Sequence, residues 1–226
     1  MNITPEALDF LFENRLKDSK EWYREHKDIH KRLVVEPFRE FILKVEPYIN
    51  EIDPKIVCNP KKISRIYRDT RFSKDKTIFR DNQWYCFMNG KELYEGLPSL
   101  FFDFSPRGFM YGCGYYKAGK GSIDALRSLV LKRDKTYLEA RKTVESDPKY
   151  ILECNPYKKE HFPDADETDR PWLNIRDFCV IVESSDFDLL FSENLGDEIG
   201  KEFVKLKPVY DFLMKAESIN TARLKK

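Results

Sequence analysis

The sequence is poor in the residues from which redox and metal sites are usually built. Its 226 residues include three histidines and five cysteines, and no two cysteines form a CxxC pair. The odd number and wide spacing of the cysteines indicate reduced thiols rather than a disulfide framework or a zinc site. We therefore predict no metal site and no cofactor.

Several motifs of common enzyme classes are also missing. The chain has no GxSxG nucleophile turn, no GxxxxGK[ST] phosphate loop and no GxGxxG dinucleotide motif. His26 and His30 are four residues apart, as zinc ligands on a helix often are, but position 27 is Lys instead of the Glu of an HExxH site. These absences disfavour familiar hydrolases, nucleotide kinases and dehydrogenases, and they leave enzymatic activity an open question.

Long apolar runs and a strong charge bias are absent as well. No segment approaches the roughly 18 consecutive apolar residues that a membrane-spanning helix needs. Residues 1–6 also lack the basic region followed by an apolar run with which a signal peptide begins. The formal net charge is only +1. The chain as a whole therefore lacks the strong basic charge of a duplex-binding protein. We expect a soluble, cytoplasmic protein without a membrane partner.

Large aromatic side chains are plentiful. The chain has 17 Phe, 12 Tyr and 3 Trp, and 41% of its residues are hydrophobic. A chain of this length can bury most of the apolar surface of its unfolded form, and aromatic residues favour sheet surfaces. We predict a single domain that spans residues 1–226.

The hydrophobic pattern changes along the chain from helical to strand-like and back. Residues 1–52 have helical spacing throughout, with a first start at Thr4 and Leu8, Leu11 and Phe12 on its buried side. Strands are predicted at 84–88, 100–104, 109–116 and 178–183, a hairpin turn at 105–108, and further helices at 122–144 and from 195 onward with a kink at Pro208. The fold class is thus α+β, with a central antiparallel meander sheet flanked by N-terminal helices, a middle helical pair and a long C-terminal helix.

Two glycines lie on the same face of the third predicted strand. Gly112 and Gly114 are two residues apart, so both lie on the same face of the pleated strand, and their missing side chains leave a trough there. Either a neighbouring backbone or a ligand can approach the strand there. Close packing is the preferred interpretation, and ligand binding is the alternative.

Positive charge is concentrated between residues 61 and 80. Eight basic residues accompany only Asp69 and Asp75, which gives this segment a charge of +6. Because guanidinium groups suit phosphate and carboxylate, we predict that the segment binds a small anionic ligand. The predicted ligand-binding residues are Arg65, Arg68, Arg71, Ser73, Lys76 and Arg80. If the protein is an enzyme, Asp69 or Asp75 is the predicted catalytic base.

Two other interpretations of this segment stay open. The protein can be a non-enzymatic module for single-stranded nucleic acid, in which Tyr67, Phe72, Trp84 and Tyr85 stack on bases. It can also be a protein-interaction scaffold in which the arginines and aspartates pair with each other as a structural staple. No oligomeric state is predicted.

The basic segment also resembles a family signature. Residues 65–77 read Arg-Ile-Tyr-Arg-Asp-Thr-Arg-Phe-Ser-Lys-Asp-Lys-Thr, which is similar to the signature of the family catalogued as domain of unknown function 2461. Stretches at 10–15, 112–115 and 206–213 are similar too, so the resemblance spans nearly the whole chain. It implies one intracellular α+β domain and carries no established activity. Ile78 stands where the family usually has proline, which predicts a more flexible loop.

Overall fold

The structure is a computed structural model that describes residues 2–71, 73–90 and 96–224. Within these ranges the chain is α+β, as the sequence predicts. The helices are α1 (Pro5–Lys17), α2 (Lys20–Glu25), α3 (Lys27–His30), α4 (Glu36–Ile52), α5 (Lys120–Leu131), α6 (Lys135–Glu145), α7 (Arg170–Leu173), α8 (Phe187–Phe191), α9 (Leu195–Lys205) and α10 (Lys207–Leu224), with a π-helical turn at Lys31–Val35. The strands are β1 (Gln83–Met88), β2 (Pro98–Ser105), β3 (Gly108–Tyr115), β4 (Ile151–Glu153) and β5 (Cys179–Ser184).

The described strands form one antiparallel sheet in the order β1-β2-β3-β5-β4. The first three strands are the predicted meander, and Ser105 pairs with Gly108 at the predicted hairpin turn. β5 pairs with the free edge of β3, and β4 extends the sheet beyond β5. β4 was not predicted, because three residues are too few to show the alternation that identifies a strand.

One face of the sheet is buried under helices. The ring of Phe41 in α4 lies 4.4 Å from that of Phe102, and the ring of Phe203 in α9 lies 5.6 Å from that of Phe87. Tyr115 donates a hydrogen bond to a carboxylate of α10. These large rings supply the apolar area that holds the helices on the sheet.

The start of the chain forms helices where the sequence predicts them, but one buried position was predicted wrongly. α1 begins after Thr4 with Pro5 in its first turn, where a missing amide donor is harmless. Phe12 is 57% exposed, whereas Phe10 is buried. The stripe of α1 that meets the core therefore runs through Phe10 and Leu11 rather than Phe12.

The middle and C-terminal helices pack on each other. The ring of Tyr137 in α6 lies 5.9 Å from that of Phe212 in α10, so the middle pair is anchored to the last helix. The kink expected at Pro208 is a break between two helices, since α9 ends at Lys205 and α10 begins at Lys207. Within the described ranges, no helix combines the length and the apolar character that crossing a membrane requires.

The other face of the sheet, which we call the open face, carries a different set of side chains. The strand register aligns them in three rows across the sheet. The rows are Trp84-Asp103-Met110-Glu183, Cys86-Phe101-Gly112-Ile181-Ile151 and Met88-Ser99-Gly114-Cys179-Glu153. The aromatic contacts of α4 and α9 described above involve residues of the opposite face, because neighbouring residues in a strand point to opposite sides.

The backbone of β5 packs too closely against Gly112 and Gly114 for either position to carry a side chain. A Cβ atom added at Gly112 would lie 2.1 Å from the carbonyl oxygen of Val180, and one at Gly114 would lie 2.6 Å from the Cα atom of Cys179. Both distances are far below van der Waals contact, so the backbone of β5 occupies the trough. The close-packing interpretation is confirmed.

Candidate functional site

The basic segment forms an irregular hairpin next to β1. Residues 64–68 run antiparallel to residues 78–84, and the amide of Arg68 donates to the carbonyl of Ile78 at 2.8 Å. Residues 69–77 form the tip of this hairpin, with residue 72 outside the described ranges. The predicted binding residues are therefore spread over two backbone segments and the tip that joins them.

Arg68 is bonded within the segment. Its guanidinium donates to the Asp75 carboxylate at 2.6 Å, to the Thr77 hydroxyl at 2.5 Å and to the Ser73 hydroxyl at 3.3 Å. The amide and hydroxyl of Thr77 both donate to the other Asp75 oxygen, at 2.9 and 2.7 Å. The structure thus brings the predicted residues Arg68, Ser73 and Asp75 together in one polar network, which holds the hairpin tip in shape.

The end of α1 is tied to the same network. Arg15 donates to the Asp75 carboxylate at 2.6 Å and to the carbonyl of Phe79 at 2.5 Å. Asp18, which ends α1 with a left-handed φ of 46°, accepts from the amide of Ile78 at 2.6 Å. Neither Arg15 nor Asp18 was predicted, because about 60 residues separate them from their partners.

The two acids of the segment are held in their ionised form. Hydrogen bonds from Thr77, Arg15 and Arg68 hold the pKa of Asp75 well below its usual range. Hydrogen bonds from Arg71 lower the pKa of Asp69 to about 2. Because a carboxylate this acidic accepts a proton poorly at neutral pH, the catalytic role of Asp69 and Asp75 stays a prediction without added support.

The remaining predicted residues lie nearer the solvent. Arg71 pairs with Asp69 at 2.7 Å, and the two side chains are 77% and 54% exposed. Lys76 donates to a backbone carbonyl at 2.9 Å, and Arg65 is exposed. Arg80 is partly buried, and its Nε has no hydrogen-bond partner among the described atoms. Anion binding through these groups stays a prediction.

The aromatic residues predicted for base stacking point in different directions. Tyr67 is 42% exposed and packs against Phe79, with ring centroids 4.9 Å apart. Trp84 lies on the open face, whereas Tyr85 is 4% exposed in the core. Phe72 is outside the described residues. Tyr67, Trp84 and Tyr85 therefore do not form one continuous stacking surface.

A cleft of about 450 Å³ lies on the open face. Its aromatic lining includes the buried Tyr115 and Phe178 and the more exposed Phe101 of β2, Trp84 of β1 and Tyr116, which directly follows β3. The rings of Trp84 and Tyr116 are nearly parallel, with an angle of 20° between their planes and 6.3 Å between their centroids. Gly114 also lines the cleft, whereas Gly112 does not, so the cleft meets only one end of the trough that β5 fills.

Asp103 is the most strongly perturbed carboxyl group of the cleft. Burial raises its pKa to about 7, although the hydrogen bond from the Asn82 amide at 2.6 Å and the charges of Arg107 and Arg80 act in the other direction. The negative charge of Asp81 adds to the increase in pKa. A carboxyl group with a pKa near neutrality inside a cleft is a feature of binding and catalytic sites.

Three thiols line the same cleft. Burial raises the pKa of Cys86 and of Cys179 to about 12, and it raises the pKa of Cys154 as well. All five cysteines lie in described parts of the chain and are free thiols. At neutral pH these groups are protonated, so they act as weakly polar lining rather than as nucleophiles.

Replacing Asp103 by Asn is expected to raise stability at pH 8 by about 1 kcal/mol or more. The unfolded carboxyl loses its proton near pH 3.8, whereas the folded one keeps it until about pH 7. The folded state therefore binds more protons in this window, and its stability falls as the pH rises. Urea unfolding at pH 5 and pH 8 should show a larger gain for Asp103→Asn at pH 8.

The matched control is Asp81→Asn. Asp81 accepts from Arg107 at 2.6 Å, and this bond lowers its pKa. Asp81→Asn should therefore lower the stability of the protein at pH 8, whereas Asp103→Asn should raise it. An unchanged pH dependence in Asp103→Asn would show that the carboxyl at position 103 is ionised like an ordinary aspartate.

Asp103 was not predicted as a site residue, although the local sequence pattern indicates that it is unusual. It is the only charged residue of the strand 98–105, and it alternates with Leu100, Phe102 and Phe104, which face the core. A lone acid in an otherwise apolar strand marks the face that the helices leave uncovered. Its pKa cannot be read from that pattern, because the shift depends on burial by neighbouring strands.

Comparison with known proteins identifies the family and adds no activity. A family model described as a conserved hypothetical protein (DUF2461) matches residues 6–212, which include the basic segment, every described strand and the cleft residues. No curated protein and no solved structure matches the chain. The resemblance predicted from the sequence is confirmed, and the chain belongs to the DUF2461 family of conserved hypothetical proteins.

Proposed function

We propose that the protein binds a small organic molecule in the cleft on its open face. The observation that carries this proposal is a cleft of about 450 Å³ in which aromatic rings and a carboxyl group with a raised pKa occur together. Pockets for small ligands have volumes of about 300–1,000 Å³ and combine apolar walls with a few polar groups. The cleft meets both criteria.

Different residues of the lining would provide apolar contact with a ligand and hydrogen bonds that orient it. Trp84, Phe101 and Tyr116 offer ring surfaces against which a planar or aliphatic ligand can pack. Asn82 and Asn155 lie in the same lining and provide amide groups that can form hydrogen bonds. Most of these side chains stand on β1 and β2 or directly next to them, so paired strands fix their spacing before a ligand arrives.

The raised pKa of Asp103 also bears on catalysis. A group whose pKa lies near the working pH transfers protons most effectively. If the protein acts on its ligand, Asp103 is a better proton donor or acceptor than Asp69 or Asp75, whose pKa values are lowered. This part of the proposal follows from the chemistry of the carboxyl group and requires the ligand to lie against β2.

The side-chain N–H resonances of the three tryptophans offer a direct test. A library of ring-bearing fragments is titrated into the protein and followed by NMR. Binding in the cleft should shift the indole signal of Trp84, which lines the cleft, and leave that of Trp172, which is 4% exposed in the core, in place. Fragments that shift no tryptophan signal, or only that of Trp22, would contradict the proposal.

Two exposed aromatic residues provide matched variants for the same experiment. Tyr116 is 56% exposed and lines the cleft, and Phe12 is 57% exposed on α1. Tyr116→Ala should weaken fragment binding about fivefold, because an aromatic contact contributes about 1 kcal/mol. Phe12→Ala should leave the affinity unchanged. Equal effects of the two variants would place the bound fragments elsewhere.

The basic segment is a second candidate site, for a small phosphate- or carboxylate-bearing ligand. Its support is the charge of +6 over residues 61–80 and the buried Nε of Arg80, which has no partner among the described atoms. A ligand there would have to exchange bonds with the network around Arg68 and Asp75. A cytoplasmic location is proposed as well, and the five free thiols support it.

A further inference from the structure

We infer that the cleft on the open face selects an organic cation, a small molecule that bears an ammonium group. The inference rests on the proposed function and names the chemical class of the ligand. It follows from two features of one cleft: its carboxylates form no ion pair with any described residue, and aromatic rings stand beside them. The basic segment, by contrast, lies outside the lining of this cleft.

The charges of the cleft are of one sign. Asp103, Glu153 and Asp177 line it, and none of the lining residues that the structure describes is Lys, Arg or His. The described part of the chain forms no ion pair with any of these three carboxylates. A cleft with acidic lining and low-dielectric walls attracts positive charge.

Two acids outside the cleft, Glu202 and Asp169, are matched with cations. Glu202, which accepts from the Tyr111 hydroxyl of the core face, pairs with Lys149 at 2.8 Å and with Lys205 at 2.7 Å. Asp169 is buried and pairs with arginines of the helical layer. Among the described residues, the three carboxylates of the cleft differ from these in having only amide partners or none, which leaves their charge for a ligand.

The amide partners of the cleft acids leave acceptor capacity free. Asp103 accepts from the side chain of Asn82 through one oxygen, at 2.6 Å. Asp177 accepts from the backbone and side chain of Asn155, at 2.7 and 2.5 Å. A carboxylate has two oxygens and about four acceptor positions. An ammonium group, which has only donors, is the natural complement.

The aromatic rings suit the same ligand class. Trp84 directly faces Asp103 across the β1–β2 pair in the strand register, and its ring stacks near that of Tyr116. The face of an indole or phenol ring attracts a cation within about 6 Å of its centre, most strongly for Trp. A carboxylate and an indole on neighbouring strands are therefore placed to share one ammonium group.

The charged groups around Asp103 define how binding should depend on pH. Arg107 and Arg80 favour its ionised form and Asp81 opposes it, while Arg107 is itself paired with Asp81. With a pKa of about 7, Asp103 is mostly neutral at pH 6 and mostly ionised at pH 8. A cation binds the ionised form better, so its affinity should rise as the pH increases through this range.

Three probes of the same size and ring separate the ligand charges. Tyramine carries an ammonium group, 4-ethylphenol is neutral, and 4-hydroxyphenylacetate is an anion at pH 6 to 8. Dissociation constants come from the Trp84 indole signal at both pH values. We expect tyramine to bind at least about tenfold tighter than 4-ethylphenol at pH 8, which corresponds to one cation–π or charge contact of about 1.4 kcal/mol.

The pH dependence and the variants complete the test. Tyramine binding should tighten about tenfold from pH 6 to pH 8, since the ionised fraction of a group with a pKa near 7 rises by that factor. In Asp103→Asn this dependence should disappear, and in Asp9→Asn, an exposed acid of α1, it should remain. Asp103→Asn keeps an acceptor for Asn82 and is expected to fold.

Each other outcome has a distinct meaning. If 4-ethylphenol or 4-hydroxyphenylacetate binds as tightly as tyramine and shifts the Trp84 signal, the cleft is a binding site and the cation inference is wrong. If tyramine binds without any pH dependence in the wild type, the role of Asp103 in the inference is wrong. If no probe and no fragment shifts the Trp84 signal, the proposed function itself fails.

Discussion

Gly112→Ala is expected to destabilise the protein by about 3–5 kcal/mol, because there is no room for a side chain between β3 and β5 at this position. The added Cβ would lie 2.1 Å from the carbonyl oxygen of Val180 and 2.9 Å from the ring of Phe101. The first of these neighbours is backbone, so relief requires β3 and β5 to separate. Urea unfolding should show the loss of free energy, and the melting temperature should fall by about 10 °C.

Gly119→Ala is the control for this prediction. Gly119 precedes α5, and a Cβ atom there would lie 3.6 Å from the Ser122 hydroxyl, an ordinary contact distance. Its expected effect is about 1 kcal/mol or less, because the added Cβ atom fits and the remaining cost is the weaker preference of alanine for the N-cap position. If Gly112→Ala is as stable as Gly119→Ala, β5 does not fill the trough and the space beside Gly112 is open to a ligand.

The second prediction concerns Arg68→Ala, which is expected to lower stability by about 2 kcal/mol. The substitution removes the charge-assisted bond to Asp75 and leaves Thr77 and Ser73 without their guanidinium partner. Arg15 still holds Asp75, which is 45% exposed, so solvent and Arg15 offset part of the loss. Urea unfolding of the variant and of the wild type at the same pH gives the difference.

Arg71→Ala is the matched control on the same hairpin tip. Its ion pair with Asp69 is largely exposed, and exposed pairs contribute at most about 1 kcal/mol. A small effect of Arg71→Ala beside a large effect of Arg68→Ala would support the staple interpretation of the segment. Equal and small effects would show that the network around Asp75 contributes little to the fold.

Thermal unfolding in the presence of anions separates a staple from a binding site. Phosphate, nucleotides, sugar phosphates, carboxylates and short oligonucleotides are each added to the wild type and to both variants. A ligand at about 100 times its dissociation constant adds roughly 2.7 kcal/mol, or about 5–10 °C. A selective shift that Arg71→Ala or Arg68→Ala loses would support the anion site, and a length-dependent oligonucleotide shift that falls steeply with salt would support the nucleic-acid alternative.

Local patterns in the sequence were sufficient for most of the fold. The period of two in residues 109–116 predicted the strand and the shared face of Gly112 and Gly114, and the structure adds that Phe109, Tyr111 and Cys113 on the other face are buried. Helical spacing likewise predicted the helices of the first 52 residues. Such patterns are readable because they reflect contact with one common core over a few consecutive residues. Phe12 shows the limit, since spacing alone did not resolve which of two neighbouring stripes faces inward.

The basic segment was found from its charge, but the sequence left its role open. Whether Arg68 meets a ligand or Asp75 depends on the path of the hairpin and on Arg15 and Asp18, which reach it from α1. Ion pairs are short-range contacts between residues distant in the chain, so composition gives the number of charges and not their partners.

The sequence by itself determined the α+β class, the meander and the family. Only the tertiary structure decided which face of the sheet α4, α9 and α10 cover, that β5 fills the glycine trough, and that Asp103 stands beside Trp84 in a cleft. The physical reason is the separation along the chain of the residues that determine each feature. Secondary structure and burial are encoded in neighbouring residues, whereas a cleft and the pKa of a carboxyl group within it arise from strands and loops that packing brings together.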